Sequence, residues 1–283
     1  MTDTPPVAFL GTGLLGSGFV EAATGRGEQV VVWNRTASKA KALERFGARA
    51  AATPADAVRG CTRVHLVLKD DPVVDEVIAA LRPGLEPDAI IMDHTTTLPA
   101  ATAERAARLA GDGVRYLHCP VFIGPSAARA GTGTIMVAGP RALFDAVRVG
   151  LEAMASRVDY VGERPDLAAV RKLCGNAFII GLTALVADAL AVARAAKLPA
   201  QDALDVLNQF DPAATLRGRG RAMAAGNFAP SFELVMARKD VGLMLQTAGD
   251  APLAALPGIA KRMDALIARG RGELDMSVMG EGQ

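Results

Sequence analysis

The segment Val7-Ala8-Phe9-Leu10-Gly11-Thr12-Gly13-Leu14-Leu15-Gly16 constrains this chain more than any other. A short apolar run ended by glycine reads as a buried parallel strand, and helix-compatible residues continue from Leu14 to Arg26. In a strand–glycine loop–helix unit, Gly11 permits the tight turn, Gly13 lets a pyrophosphate approach the backbone, and Gly16 lets helix and strand pack closely. The helix N-terminus adds free N–H groups and a positive dipole end. Gly11, Thr12, Gly13, Leu14, Leu15 and Gly16 are therefore the expected cradle for a dinucleotide. An ordinary strand-to-helix turn and an S-adenosylmethionine site are the alternatives for such a loop.

Beyond Arg26 the chain has the alternation that a parallel, doubly wound sheet requires. Apolar runs at Val30–Trp33, Val64–Leu68, Ala89–Met92, Arg115–Leu117, Ile135–Ala138 and Val158–Tyr160 read as strands. Residues 38–46, Pro72–Leu81 and Pro99–Ala110 read as helices between them. From Leu167 onward strand signals vanish, and Ala/Leu-rich segments near 167–196, 201–209, 213–225, 232–248 and 253–269 read as helices. Pro165 suits the start of the first. The expectation is an α/β chain with a Rossmann domain over 1–162, a long interdomain helix, and an all-helical domain over 163–283. At 1.5 Å per residue that helix extends about 45 Å.

The chain's 283 residues suit two domains, and 31 basic against 30 acidic residues give no reason to expect nucleic acid or an anionic membrane as partner. Cys61, Cys119 and Cys174 lack metal-ligand spacing and suit a reducing compartment. No metal is expected, and His65, His94 and His118 show no triad or metal spacing. Packing is the first expectation for His94, with ligand contact the alternative, because it lies just after a strand. The apolar stretch Phe178–Ala193 is shorter than a membrane span of about 20 residues and contains Asp188, so it reads as a helix buried between domains or subunits. A cytoplasmic protein is expected.

Cofactor choice is written at the end of the second strand. An NAD site places Asp or Glu there, whereas this chain has Asn34-Arg35-Thr36 with Lys39 one turn on. A guanidinium offers a 2′-phosphate a bidentate partner, which favours NADP over NAD; a plain surface arginine is the alternative. Leu68 and Lys69 at the end of the third strand, and Thr96 after the fourth, are further cofactor candidates.

Five blocks occur in order along nearly the whole chain: the glycine loop with Asn34-Arg35-Thr36; Asp93-His94-Thr95-Thr96-Thr97-Leu98-Pro99; Pro120-Val121-Phe122-Ile123-Gly124; Lys172-Leu173-Cys174-Gly175-Asn176; and Lys239-Asp240-Val241-Gly242-Leu243. In these the chain resembles the β-hydroxyacid dehydrogenases, which include 3-hydroxyisobutyrate dehydrogenase, tartronate semialdehyde reductase and the glyoxylate/succinic semialdehyde reductases. The resemblance implies hydride transfer between a nicotinamide and a small aldehyde or keto acid, and the long apolar helix, suited to burial against a second subunit, makes a homodimer the expectation. It implies Lys172 as general acid/base on the substrate oxygen, with Asn176 holding substrate or orienting the lysine. Lys172 and Asn176 are spaced i, i+4, so a helix presents both on one face. Lys239 is expected to contribute charge toward cofactor or substrate.

The chain departs from the family at one block. Ser-Gly-Gly normally receives the substrate carboxylate after Pro-Val; here the substrate-binding candidates are Phe122, Ile123 and Gly124. Phe122 removes a hydroxyl donor, and Ile123 blocks close backbone approach. Either a more apolar carbonyl compound binds, or Phe122 turns into the core and neighbouring backbone with Lys239 holds the carboxylate. Imine reduction by relatives of the same architecture, and a non-catalytic NADP-binding regulatory protein, are the competing functions. Those imine reductases commonly lack the lysine.

Overall fold

A computed structural model describes residues 5–282. In the first part the chain runs β1 (Val7–Leu10), α1 (Leu14–Gly25), β2 (Val30–Trp33), α2 (Ala37–Lys41), β3 (Arg49–Ala50), α3 (Pro54–Val58), β4 (Arg63–Leu66) and α4 (Asp71–Leu81). It continues through β5 (Ile90–Asp93), α5 (Pro99–Gly111), β6 (Arg115–His118), β7 (Val121–Phe122), α6 (Pro125–Ala130), β8 (Thr134–Ala138), α7 (Arg141–Glu152) and β9 (Arg157–Gly162). The described strands form one nine-stranded sheet in the order β3-β2-β1-β4-β5-β6-β8-β7, with β9 beside β8.

Alternation along each strand feeds two cores. Phe9, Val32, Met92 and Leu117 pack on one face, whereas Leu10, Val31, Leu66 and Ile91 pack on the other. Both faces are covered, so the central strands are apolar throughout, as the expected doubly wound sheet requires. The sheet is parallel from β3 to β6, but β8 runs antiparallel to β6 and β7 and parallel to β9. That reversal, with β3, α3, β7, α6 and α7, adds to the elements expected from sequence.

The chain divides into two compact units, Met1–Asn176 and Ala177–Gln283. The division falls inside α8 (Leu167–Ala195), whose first turn is buried among strand residues: Ala168 joins Met136 and Ala138 in a small apolar cluster. With 29 residues, α8 is about 44 Å long. Among the described residues it is the one helix long and apolar enough to cross a membrane, with a mean hydropathy of 1.9 in its most apolar 18-residue window and 11 % of that window buried.

The second unit continues with α9 (Ala200–Asp205), α10 (Pro212–Ala225), α11 (Leu234–Ala248) and α12 (Leu256–Ile267). Its core is the face Leu234, Ala237 and Val241 of α11 against Ala260, Met263 and Leu266 of α12. Asp188, the acid in the apolar stretch of α8, is 2 % exposed. Its carboxylate accepts the N–H groups of Ala254, Ala255 and Leu256 at 2.6, 2.8 and 2.8 Å, so it caps α12 from a distance.

Candidate active site

The strand order reverses beside β1: the chain leaves β1 toward β2 on one side and leaves β4 toward β5 on the other, so the connections part and leave a crevice at the carboxyl ends. The glycine loop stands at that point. Gly11 has φ +99°, and a Cβ there would strike the Val67 carbonyl. A Cβ on Gly16 would fall on the Gly11 carbonyl, so the first turn of α1 sits directly against the loop. Gly13 faces open space, where a phosphate can approach the backbone. No side chain caps α1, which leaves its first N–H groups free for an anion.

Asn34 fastens this loop. Its Oδ1 accepts the Thr12 N–H at 3.0 Å, and its Nδ2 donates to the Thr36 carbonyl at 3.1 Å. One amide thus ties the turn after β1 to the turn after β2. Thr12 is buried beneath it and turns its hydroxyl inward.

Two cavities flank the ridge made by Gly13, Val67 and Leu68. One, of about 370 Å³, is lined by Asn34, Arg35, Thr36, Lys39 and Lys69, with Trp33 and Glu76 completing its walls. Arg35 and Lys39 form no ion pair among the described residues, so both cations are available to a ligand. The other, of about 300 Å³, holds Leu14, Leu15, Gly16, Thr96, Ile123 and Lys172. Gly13, Val67 and Leu68 line both cavities, so a dinucleotide laid across Gly13 would extend toward Arg35 on one side and Lys172 on the other. The cradle, the cations and the paired cavities fit that cofactor.

Lys172 and Asn176 rise from α8, both half-buried. Lys172 Nζ stands 4.1 Å from the centroid of the Phe122 ring. Burial, with no charged neighbour acting on it, pulls the Lys172 ammonium below its ordinary pKa. Phe122 lies outside both cavities, packed beside Met136, Ala138 and Ala168, while Gly124 precedes α6 as its N-cap. Lys239 belongs to the second unit, on α11, with its ammonium 3.0 Å from Asp240.

Beneath the loop after β5 lies a polar network that spacing alone does not reveal. Thr95 Oγ1 accepts the Leu68 N–H at 3.1 Å, and the Thr95 N–H donates to Asp93 Oδ1 at 2.9 Å. His94 Nδ1 lies 2.8 Å from the Cys119 carbonyl, which can only accept, so Nδ1 carries the proton. His94 Nε2 then accepts from His65 Nδ1 at 2.9 Å. Burial, assisted by the neighbouring ring, holds His65 well below its ordinary value. Burial likewise takes His94 down to about 4, against its hydrogen bond to the Cys119 carbonyl. Both rings are therefore neutral, and His94 also lines the cavity that holds Lys172. His94 is thus packed, and it also forms part of that cavity's wall. Cys119 is buried and Cys174 exposed. No cluster of metal-ligating side chains occurs among the described residues.

Comparison with known proteins agrees with this geometry. Residues 6–162 match the model of the NAD binding domain of 6-phosphogluconate dehydrogenase, and residues 168–281 that of the NAD-binding region of NADP-dependent 3-hydroxyisobutyrate dehydrogenase. The human cytokine-like nuclear factor N-PAC is 31 % identical over 270 residues, covering 92 % of this chain and 48 % of that protein, so the chain spans about half the length of this relative. An oxidoreductase of Shewanella frigidimarina is 28 % identical over 259 residues, covering 88 % of this chain and 89 % of that one. Among solved structures, the Streptomyces aurantiacus imine reductase has a TM-score of 0.87 and 26 % identity, over 97 % of this chain and 98 % of that one. With both halves matched in order and the cradle formed, the chain belongs to the β-hydroxyacid dehydrogenase family of NAD(P)-dependent oxidoreductases.

Proposed function

We propose that this chain is an NADPH-dependent reductase of a small carbonyl compound, with Lys172 as the proton donor to the carbonyl oxygen. The observation that carries the reading is the half-buried ammonium of Lys172 in the same cavity as Gly16 and Thr96. When bound, NADPH supplies a hydride to the electrophilic carbon of the substrate. Negative charge then develops on the oxygen, and a cationic donor beside it lowers the barrier and delivers the proton. Burial lowers the pKa of Lys172 and so eases that delivery. Asn176, one turn along the same helix, is suited to hold substrate or the lysine by its amide. Arg35 and Lys39 are suited to the 2′-phosphate, which supports NADP over NAD.

Imine reduction is the second reading, supported by the likeness to the Streptomyces aurantiacus enzyme and by Phe122-Ile123 in place of a carboxylate-binding loop. The two readings separate in one screen. NADPH absorbance is monitored with semialdehydes, glyoxylate, bulkier aldehydes and cyclic imines side by side. Lys172→Ala is expected to leave NADPH binding nearly intact, read by cofactor fluorescence, and to lower carbonyl turnover by about a hundredfold or more. Undiminished turnover in that variant would remove Lys172 from the mechanism.

A further inference from the structure

The ring of Phe122 occupies a fitted seat. Its backbone is held by the β7–β8 pairing, with Phe122 opposite Thr134. The ring presses on the bare backbone of Gly175, where an added Cβ would meet its Cζ. The ring also receives the Lys172 ammonium at 4.1 Å, a cation–π distance. Lys172 and Gly175 are three residues apart on α8, so one helix face supplies both the cation and the gap that admits the ring. A serine here would leave that gap empty; an alanine at 175 would close it.

The ring's hold on Lys172 bears on what the neighbouring cavity offers a ligand, because few polar groups line that cavity. Among the described residues, Lys172 is the single charged side chain lining its cavity. The Thr95 hydroxyl is committed to Leu68 N–H, and both nitrogens of His94 are committed to Cys119 and His65. Thr96, exposed at the rim, is the remaining hydroxyl. A substrate carboxylate in this cavity competes with the carbonyl oxygen for the one ammonium, and a buried anion without donors is costly. The side chains of Leu14, Val67, Val121 and Ile123 offer it nothing.

We propose, given the carbonyl reduction argued above, that Phe122 determines specificity: it turns away substrates bearing a carboxylate near the carbonyl and selects uncharged aldehydes and ketones. Gly175 is its partner, preserving the space in which the ring lies.

The test compares pentanal with succinic semialdehyde, which match in length and differ in charge. In the unsubstituted protein, pentanal is expected to have the higher kcat/KM by about tenfold or more. Phe122→Ser is expected to shift that ratio at least tenfold toward the semialdehyde. A ratio near one at the start, or one that Phe122→Ser leaves in place, overturns the proposal. Calorimetry of butyrate binding to the NADP-loaded protein gives a second measurement that needs no turnover. Tighter binding in Phe122→Ser supports the proposal, and equal binding overturns it. Absence of NADPH oxidation with every carbonyl compound would sink the reductase reading instead, and the butyrate arm would still decide the role of Phe122. Gly175→Ala checks the packing: it is expected to lower the Tm on its own and to be tolerated in the Phe122→Ser background. Equal losses in both backgrounds would show that the ring does not occupy the seat.

Discussion

Arg35 follows the end of β2 and lines one cavity together with Lys39. Replacing Arg35 by Asp removes a bidentate partner and places a carboxylate against the phosphate. NADPH affinity is expected to fall about tenfold to a hundredfold while NADH affinity stays nearly level. Equal losses for both cofactors in a fluorescence titration would show that Arg35 does not read the phosphate. At this scale the sequence is informative where one local motif sets the geometry. Gly11, Gly13 and Gly16 need only their neighbours to be understood, and Arg35 needs only the end of its strand. Trp33 and Glu76 escape such a reading, because their place on the cavity wall depends on how β2 and α4 converge. The His65–His94 pair is hidden too, since the residues lie 29 apart. Register explains it: His65 pairs with Met92 across β4 and β5, so His94, two residues on, shares its face. Phe9 stacks on His65 at 4.5 Å, continuing that row onto β1.

Among the elements, α8 and α12 are joined by Asp188. Burial alone would raise the Asp188 carboxyl, but three backbone N–H groups outweigh it and the folded value lies below the ordinary 3.8. Stability from this contact is complete above that ordinary value and is lost as the pH falls through the folded one. Asp188→Ala leaves the start of α12 uncapped and is expected to cost about 2 kcal/mol, read as a lower urea midpoint near neutral pH. The variant's midpoint should also fall less steeply in acid, and parallel acid profiles would show that the carboxylate is not the cap. The apolar stretch announces α8 in the sequence, with Asp188 as its one acid. What Asp188 touches is not legible there, because its partners are backbone groups 66 to 68 residues away. The antiparallel turn of β7 and β8 is equally opaque, since a two-residue strand has no periodicity to detect. By contrast, α7 carries buried Phe144, Val147 and Leu151 at helical spacing, a legible signal that the flanking strands overshadow.

For the whole molecule, the exposed apolar face of α8 calls for a partner. Phe178 and Ile180 are 64 % and 67 % exposed, with Leu182, Leu185 and Val186 also open. An adjoining hollow of about 320 Å³ in the second unit is walled by Leu204, Leu207 and Phe210. Patches of this kind are rarely left to water. We propose that a second copy covers it, so sedimentation should give about 59 kDa, twice the 29.3 kDa chain. Ile180→Glu is expected to shift the species toward the monomer, and a monomer in the unsubstituted protein at micromolar concentration would overturn the assignment. The glycine under the Phe122 ring also limits how this lineage can change. A side chain at 175 is accommodated more readily once the aromatic at 122 has shrunk, so the order in which the two positions change matters to stability.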